Sequence, residues 1–144
     1  MIRPATPSDL PLIVAFSSAL NAHESISITD AALDAGLREL LADPRLGTVF
    51  VIDDGGVAAG YALCAYSFDL EFGGLEAWLT ELFIADDARG RGLGSAAIRQ
   101  LEVELRARGV KALHLQVRPE NPAVALYERL GFSRVPRLVM TRRL

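Results

Sequence analysis

The sequence predicts a single layered domain in which a mixed β-sheet carries helices on both faces. Strand-like and helix-like segments follow one another in the order β-α-α-β-β-β-α-β-α-β, which is typical of an α/β or α+β layered fold. A chain of 144 residues is long enough to bury a substantial core. No repeat, low-complexity stretch or linker divides it, so we expect one domain over residues 1–144.

The first half of the chain contains a short strand, two helices and a hairpin. Thr6-Pro7 supplies a capping residue and a proline at the first helical position. Asp53-Asp54-Gly55-Gly56 is a strong signal for a tight turn between two strands. The predicted elements are a strand at 2–4, a helix from 7 to about 20, a helix from 29 or 30 to 41, and strands at 48–52 and 57–66.

The second half alternates strands and helices. A loop is expected at Ser67 to Leu75, and the apolar run Leu79 to Ile84 predicts a buried strand. Asn121-Pro122 begins a short helix in the same way as Thr6-Pro7. The remaining predicted elements are a helix that opens within 89–94 and ends at Gly109, a strand at 112–117, and one or two closing strands at 132–143, interrupted at Pro136.

The turn Arg89-Gly90-Arg91-Gly92-Leu93-Gly94 lies between the strand and the helix that follows it. Free N–H groups at a helix N-terminus favour an anion, and glycines allow a ligand to approach the backbone. A P-loop is excluded, because Ser95-Ala96 replaces the required Lys-Ser/Thr. The glycine spacing also differs from that of the dinucleotide fingerprint. The turn therefore predicts either a phosphate site or a solvated glycine-rich loop.

Composition excludes several functions. A net charge of −3 argues against nucleic-acid binding, and Leu10 to Leu20 is too short and too interrupted to span a membrane. Cys64 is the only cysteine, so no internal disulfide is possible, and it is expected to be buried filler. No cluster of His, Cys or Asp has metal-ligand spacing, so no metal is expected. We expect a cytoplasmic protein without a signal peptide.

Two motifs resemble the GNAT superfamily of N-acetyltransferases. Arg89, Gly92 and Gly94 are similar to its Arg-x-x-Gly-x-Gly pyrophosphate loop. Asn121, followed six residues later by Tyr127 and then by Gly131-Phe132, is similar to its second motif. The resemblance extends over nearly the whole chain. It implies a mostly antiparallel mixed sheet whose central strands splay apart, with acetyl-CoA between them as co-substrate.

The resemblance also assigns residues to acetyl-CoA. It implies that backbone groups from Leu82 to Ile84 contact the pantetheine arm and that the loop holds the pyrophosphate. Asn121 would touch the same arm, although it is equally a plain helix cap. The residues implied to bind the co-substrate are Leu82, Phe83, Ile84, Arg89, Gly90, Arg91, Gly92, Leu93, Gly94, Ser95 and Asn121.

Two residues are candidates for catalysis. A phenol with a pKa near 10 stays protonated at neutral pH, so Tyr127 could protonate a departing thiolate; its other reading is core packing. Glu81 is the one acid in an apolar strand, and burying a carboxylate without partners is unfavourable. It therefore either faces a cleft, as a base or an anion that binds the amine, or forms an ion pair with an Arg.

The acceptor is predicted to be the primary amine of a small molecule, polyamine-like or amino-acid-like. The run from Tyr66 to Ile84 looks like diamine and spermidine/spermine acetyltransferases. That subgroup usually has two successive acids on this strand, and Thr80-Glu81 keeps only the second of them. A protein N-terminus or lysine, a non-catalytic acyl-CoA-binding module and a homodimer stay open. The residues expected to border the acceptor are His23, Glu24, Trp78 and Thr80.

Overall fold

A five-stranded sheet forms the centre of the molecule. The computed structural model describes every residue from 1 to 144. The strands are Ile2–Pro4 (β1), Gly47–Asp54 (β2), Val57–Asp69 (β3), Gly74–Ile84 (β4) and Ala112–Leu115 (β5). They lie in the order β1-β2-β3-β4-β5, and only the β4–β5 pair is parallel. The expected mostly antiparallel mixed sheet is confirmed.

Helices cover both faces of the sheet, as expected. They are Leu10–His23 (α1), Asp30–Ala42 (α2), Leu93–Ala107 (α3) and Ala123–Arg129 (α4). On one face α1 and α2 build a core of Leu10, Ile13, Leu37, Val49, Val51, Tyr61 and Phe83. On the other face α3 builds a core of Phe50, Ala62, Cys64, Ala77, Leu79, Ile98, Leu101 and Leu105, against which α4 packs. None of the helices is both long enough and apolar enough to cross a membrane.

The β2–β3 hairpin turns at the predicted residues. Gly55 and Gly56 have φ angles of 65° and 91°, and a two-residue turn of this kind needs positive φ at both positions. The Gly56 N–H donates a 2.6 Å hydrogen bond to Asp53 Oδ1, which closes the turn. The local sequence was therefore sufficient to place this connection.

The connection between β3 and β4 is shorter than expected. The loop predicted at Ser67 to Leu75 is wrong, because β3 continues to Asp69 and β4 begins at Gly74. Only a 3₁₀ turn at Leu70–Phe72 separates the two strands. Asp69 accepts a hydrogen bond from the Glu71 N–H, and Gly73 adopts a φ of 83°, so a few residues suffice to reverse the chain.

A β-bulge lies at Thr80, where β4 and β5 stop pairing. Leu63 of β3 opposes Glu81 while Cys64 opposes Leu79, so Thr80 has no opposite residue. β5 pairs with β4 only up to Leu79–Leu115, and beyond that point β4 continues without it. The pairing thus opens on the β5 side of β4 from Thr80 onward, which agrees with the expected central splay.

The bulge also reverses which way the β4 side chains point. Ala77 and Leu79 lie in the core on the α3 side, whereas Phe83 lies in the core on the α1–α2 side. A regular strand would keep all three on one face, because its side chains alternate with a period of two. The extra residue therefore turns Glu81 toward α1 and α2.

The closing strands predicted at 132–143 are wrong, since no strand follows α4. The segment is rich in Val, Leu and Met, which favours β structure, but a strand also needs a paired neighbour. Apart from the α4 cap, its one backbone hydrogen bond is local, from the Arg137 N–H to the Val135 carbonyl on either side of Pro136. The strand at Ala112 is also shorter than expected and ends at Leu115.

Cys64 is buried, as expected. Its side chain is 0% exposed and belongs to the core on the α3 side. Burial raises the pKa of its thiol to about 12, so the reactive thiolate is scarce at neutral pH. The residue packs as a small apolar side chain.

Candidate active site

The glycine-rich turn before α3 forms a shallow groove of about 180 Å³. Gly92 has a φ of 76° and stands immediately before Leu93, the first residue of α3. Ile84 at the end of β4 and Leu126 of α4 also line the groove, so the groove lies where β4, α3 and α4 come together. The groove places a helix N-terminus beside the open edge of β4.

Unpaired N–H groups crowd this turn. The backbone N–H groups from Gly90 to Ser95 donate no hydrogen bond within the protein, since the first N–H groups of a helix have no partner in the preceding turn. A run of free N–H groups at a helix N-terminus attracts phosphate oxygens. The arrangement fits the pyrophosphate of acetyl-CoA.

The two arginines of the turn are held by acidic residues. Arg89 donates from Nε to the Ile84 carbonyl at 2.9 Å and pairs with Asp86 at 2.9 Å. Arg91 pairs with Asp54 of the hairpin at 2.6 Å. Both guanidinium groups are about half exposed, so they remain accessible to an anion. Their partners within the protein hold the turn in place, and the N–H groups of the turn have no protein acceptor.

Glu81 lies on the face of the sheet that α1 and α2 cover, opposite to the face that α3 covers. Its Oε2 accepts a 2.5 Å hydrogen bond from the Tyr61 hydroxyl and a weaker one, at 3.4 Å, from Ser17. No cation pairs with it, so the predicted alternative of an ion pair with an Arg is wrong. Neutral hydroxyl donors satisfy one oxygen of this carboxylate.

The second oxygen of Glu81 is free. No protein group donates to Oε1, and no buried side-chain oxygen or nitrogen in the chain lacks a partner. Oε1 is therefore in contact with solvent. A half-buried carboxylate with one fixed and one accessible oxygen can bind an ammonium group or accept a proton from it.

Tyr61 and Ser17 form the support of this carboxylate. Tyr61 is 0% exposed, and burial, followed by the charge of Glu81, raises the pKa of its phenol above the usual range. The phenol therefore keeps its proton and donates a hydrogen bond to Glu81. Ser17 is 1% exposed and is held by Asn21, whose Nδ2 donates to the Ser17 carbonyl at 2.9 Å.

Glu81 stands in the wall of a cavity of about 200 Å³ between α1, α2 and the sheet. Ser17 and Glu81 are its only polar side chains. Gly36, in the middle of α2, contributes no side chain, although glycine inside a helix costs about 1 kcal/mol relative to alanine. The apolar lining consists of Ile28, Ala32, Leu33, Leu37, Leu40 and Leu63.

Sequence reasoning did not find Ser17, Tyr61 or Gly36. Ser17 follows Leu10 and Ile13 on the buried face of α1, so a serine at an apolar position was the available signal. Tyr61 looked like an ordinary apolar strand residue. Its distance of 20 residues from Glu81 hides their contact from any local pattern.

A second carboxylate, Glu76, is buried nearer the start of β4 than Glu81. It accepts hydrogen bonds from Ser67 at 2.6 Å, from the Trp78 indole at 3.2 Å and from His114 Nε2 at 2.7 Å. The Ser67 hydrogen bond is the largest cause of the lowered pKa of Glu76. His114 is half-buried, and Trp78 stacks on its ring with 4.7 Å between ring centroids. The network ties β3, β4 and β5 together.

The residues predicted to border the acceptor lie outside the cavity. Trp78 belongs to the Glu76 network, and Thr80 is the exposed bulge residue, whose hydroxyl donates to the Leu63 carbonyl at 3.3 Å. His23 ends α1 and is exposed. Glu24 lies 3.7 Å from Arg118, so the α1–α2 connector approaches the segment after β5.

Asn121 and Tyr127 lie at and within α4. Pro122 occupies the cap position of α4, and Asn121 stands one residue before it. Asn121 Oδ1 accepts a 2.9 Å hydrogen bond from the Ala123 N–H, so its side chain satisfies one free N–H group at the start of the helix. Tyr127 packs edge-on against Phe132 with 5.8 Å between ring centroids, beside the core on the α3 side. Its hydroxyl has no protein partner and, since no buried polar atom is unpaired, it reaches solvent. Burial raises the pKa of this phenol.

The sequence was then compared with known proteins. Residues 15–132, most of the chain, match the profile of the acetyltransferase (GNAT) family. The chain belongs to this family. The predicted resemblance is thus confirmed at the level of the GNAT family, whereas the diamine and spermidine/spermine subgroup is not.

Curated relatives of this GNAT chain include an acetyltransferase of Pectobacterium atrosepticum, 42% identical over 64 residues. A ribosomal-protein alanine N-acetyltransferase of Haemophilus influenzae is 36% identical over 76 residues. These alignments cover 44% and 53% of the present chain, and 45% and 48% of the relatives. The chain thus matches about half the length of the curated relatives.

A solved structure shares the whole GNAT fold. An integron cassette protein from the mobile metagenome of Cole Harbour Salt Marsh is 28% identical, with a TM-score of 0.88. The match covers 99% of this chain and 90% of that protein. No group of three or more His, Cys, Asp or Glu in the present GNAT domain is placed to hold a metal ion.

Proposed function

We propose that this protein is an acetyl-CoA-dependent N-acetyltransferase that acetylates the primary amine of a small molecule. One observation carries the proposal. Where β4 splays from β5, an anion site of free N–H groups lies at the start of α3, and a cavity with an accessible carboxylate lies on the other face of the sheet. The first fits the phosphates of acetyl-CoA, and the second fits a cationic amine.

Acetyl transfer from a thioester to an amine forms a C–N bond and breaks a C–S bond. The amine must lose a proton, and the departing thiolate must gain one. Glu81 Oε1 is the accessible acceptor for the amine proton, directly or through water, while Tyr61 and Ser17 hold the other oxygen. Tyr127 supplies a protonated phenol for the thiolate, because its raised pKa keeps the proton at neutral pH.

The co-substrate would be held mainly by backbone. The N–H groups from Gly90 to Ser95 would bind the pyrophosphate, and the unpaired edge of β4 at Leu82 to Ile84 would bind the pantetheine arm. Thr80 to Ile84 have no pairing partner on the β5 side. The Ile84 carbonyl already accepts from Arg89, and the backbone groups on that edge from Thr80 to Phe83 are available. Asn121 would reach the same arm from the start of α4.

A second candidate acceptor is the N-terminal amine of a protein. The relative from Haemophilus influenzae is named for alanine N-acetylation of a ribosomal protein, and the present cavity is apolar enough for a small side chain. The site chemistry is the same for both acceptors. They differ in whether the rest of the acceptor is a compact molecule or a peptide.

The test is an assay of thiol release from acetyl-CoA with a panel of amines, with the acetylated product identified by mass spectrometry. Amine-dependent release should occur, and Glu81→Gln should lower it by on the order of 10²-fold while acetyl-CoA affinity is kept. Glu71→Gln, at an exposed acid paired with Arg137, is the matched control and should have wild-type activity. Binding of acetyl-CoA without transfer to any amine or peptide would indicate a non-catalytic acyl-CoA-binding module.

A further inference from the structure

The cavity beside Glu81 has one charged group and an otherwise apolar wall. Its lining contains six hydrophobic side chains, one glycine, Ser17 and Glu81. Ser17 is already engaged with Asn21 and Glu81, so Glu81 Oε1 is the one strong acceptor left for a ligand. The volume, about 200 Å³, is small for a ligand site.

This distribution of charge selects among amines. An ammonium group at Glu81 leaves the body of the acceptor against Leu37, Leu40 and Leu63. A second ammonium on that body would either lie against apolar walls without a partner or remain in solvent, where it gains nothing from the cavity. An aliphatic or aromatic body gains from burial in the same place.

Gly36 is an exposed residue of α2 that lines the cavity without contributing a side chain. A Cβ added at Gly36 would meet no atom within 4 Å, so neither close packing nor an unusual φ requires glycine there. Glycine is nevertheless unfavourable within a helix, and Ala32 and Leu40 stand one turn before and one turn after it on the same wall. The missing side chain keeps open the space that the acceptor body would occupy.

We infer that the preferred acceptor is a monoamine on a compact apolar body, with its ammonium at Glu81 and its body against the α2 wall at Gly36. The inference rests on the proposed acetyltransferase function and specifies its substrate class. It disfavours the polyamine-like acceptors that the sequence suggested. A free amine or the first residue of a peptide could supply the same chemistry.

The experiment compares isoamylamine, spermidine and a peptide that begins with alanine, using wild-type protein, Gly36→Leu and Ala35→Leu. Ala35 is exposed on the same helix and does not line the cavity, so it controls for added apolar bulk. Isoamylamine should exceed spermidine in kcat/KM by about tenfold or more, and Gly36→Leu should raise the isoamylamine KM by about tenfold. Ala35→Leu should change neither constant, and both variants should keep the wild-type KM for acetyl-CoA.

Binding separates this inference from the proposed function. Isothermal titration of isoamylamine into each protein, with CoA present, should show binding to the wild type and to Ala35→Leu and weak binding to Gly36→Leu. If this binding pattern is observed but no acetyl transfer occurs, the proposed function is rejected, whereas the inferred amine-binding pocket is retained. A preference for spermidine, or equal isoamylamine binding by wild type and Gly36→Leu, would overturn the inference. A comparison of kcat/KM for isoamylamine and for the peptide identifies whether the acceptor is a free amine or the first residue of a peptide.

Discussion

The Tyr61 hydroxyl donates a 2.5 Å hydrogen bond to Glu81 Oε2 from a fully buried position on the neighbouring strand. This contact leaves only Oε1 of the carboxylate free to face an acceptor. It also orients the carboxylate, since Tyr61 packs within the aromatic group of Phe16 and Phe83 and has little freedom to move. Tyr61 is therefore a positioning residue for Glu81.

The first prediction concerns this support. Tyr61→Phe keeps the ring but removes the donor, so the carboxylate should lose its fixed orientation. We expect kcat with the acceptor amine to fall by about tenfold, on the scale of misplaced catalytic groups, with the acetyl-CoA KM unchanged. Steady-state kinetics, with the amine and acetyl-CoA varied in turn, measures whether kcat falls while the acetyl-CoA KM stays unchanged.

Tyr66→Phe is the matched control for that prediction. Tyr66 lies on the same strand but packs beside the core on the α3 side, where its hydroxyl accepts from Arg108 at 3.2 Å. It should leave acceptor kinetics unchanged. Equal losses in the two variants would show a general effect on the strand rather than positioning of Glu81. Ser17→Ala combined with Tyr61→Phe should lower kcat non-additively, because both hydroxyls contact the same oxygen.

The second prediction concerns the glycine-rich turn. Gly94 has ordinary φ, and a Cβ there would lie 3.9 Å from Ile84, so Gly94→Asp should fold while placing a negative charge against the anion site. Acetyl-CoA should raise the Tm of the wild type, because a ligand that binds only the folded state stabilises it. The shift should be absent in Gly94→Asp. A normal shift in that variant would exclude this turn as the phosphate site.

A comparison of Gly92 with Gly109 separates a loss of acetyl-CoA binding from the effect of backbone strain on stability. They have φ angles of 76° and 80°, and a Cβ at either would meet nothing within 4 Å. Alanine at each should therefore destabilise the fold by a similar amount, about 1 kcal/mol. Only Gly92→Ala should also weaken acetyl-CoA binding, measured by titration calorimetry, since Gly109 lies at the far end of α3.

The features that could be predicted from sequence are those encoded locally. The hairpin at Asp53 to Gly56, the turn before α3 and the cap at Asn121 each depend on residues within a few positions of one another. A period of two along β4 would instead place Glu81 on the same face as Leu79. The bulge at Thr80 overrides that period, and it arises from pairing with β3, which the sequence of β4 alone does not reveal.

The same reasoning explains the remaining errors. The contact between Glu76 and His114 joins residues 38 positions apart, so no local pattern in the sequence reveals it. The segment after Gly131 has the composition of a strand, yet strand formation depends on a neighbouring edge that composition does not supply. The contact between Ser17 and Glu81 spans 64 positions and follows only from the packing of α1 on the sheet.

The third prediction concerns the pH dependence of stability at Glu76. Hydrogen bonds, first from Ser67 and then from His114 and Trp78, lower its pKa in the folded state. The resulting stabilisation is fully present above the unfolded-state pKa, near 4.3, and is lost as the pH falls through the folded-state value. Glu76→Gln should lower the free energy of unfolding at pH 7 by roughly 1–3 kcal/mol.

Urea denaturation between about pH 2 and pH 7 measures this difference, which should narrow below about pH 4 as the pH falls through the folded-state pKa of Glu76. Glu71→Gln is again the matched variant, because the Arg137 hydrogen bond also lowers the pKa of Glu71 but both side chains are exposed. It should have no measurable effect on stability. A Glu76→Gln difference that stays constant with pH would indicate lost packing rather than a lost charge.

The last prediction concerns Tyr127, whose hydroxyl is accessible although its ring is packed against Phe132. Tyr127→Phe keeps that packing, since the swap conserves volume, and removes the proton donor. If the phenol protonates the departing thiolate, kcat should fall by roughly 10²-fold with acetyl-CoA binding retained. Because burial raises the pKa of Tyr127, wild-type kcat should not decline on the alkaline side until the pH exceeds about 10.

An acyl donor with a more acidic thiol distinguishes proton donation by Tyr127 from a role of this residue in binding or packing. A better leaving group needs less help from an acid, so the loss caused by Tyr127→Phe should shrink with such a donor. A loss of equal size with both donors would instead assign Tyr127 to binding or packing. Wild-type kcat in the Phe variant would remove the residue from the mechanism and leave solvent as the source of the thiolate proton.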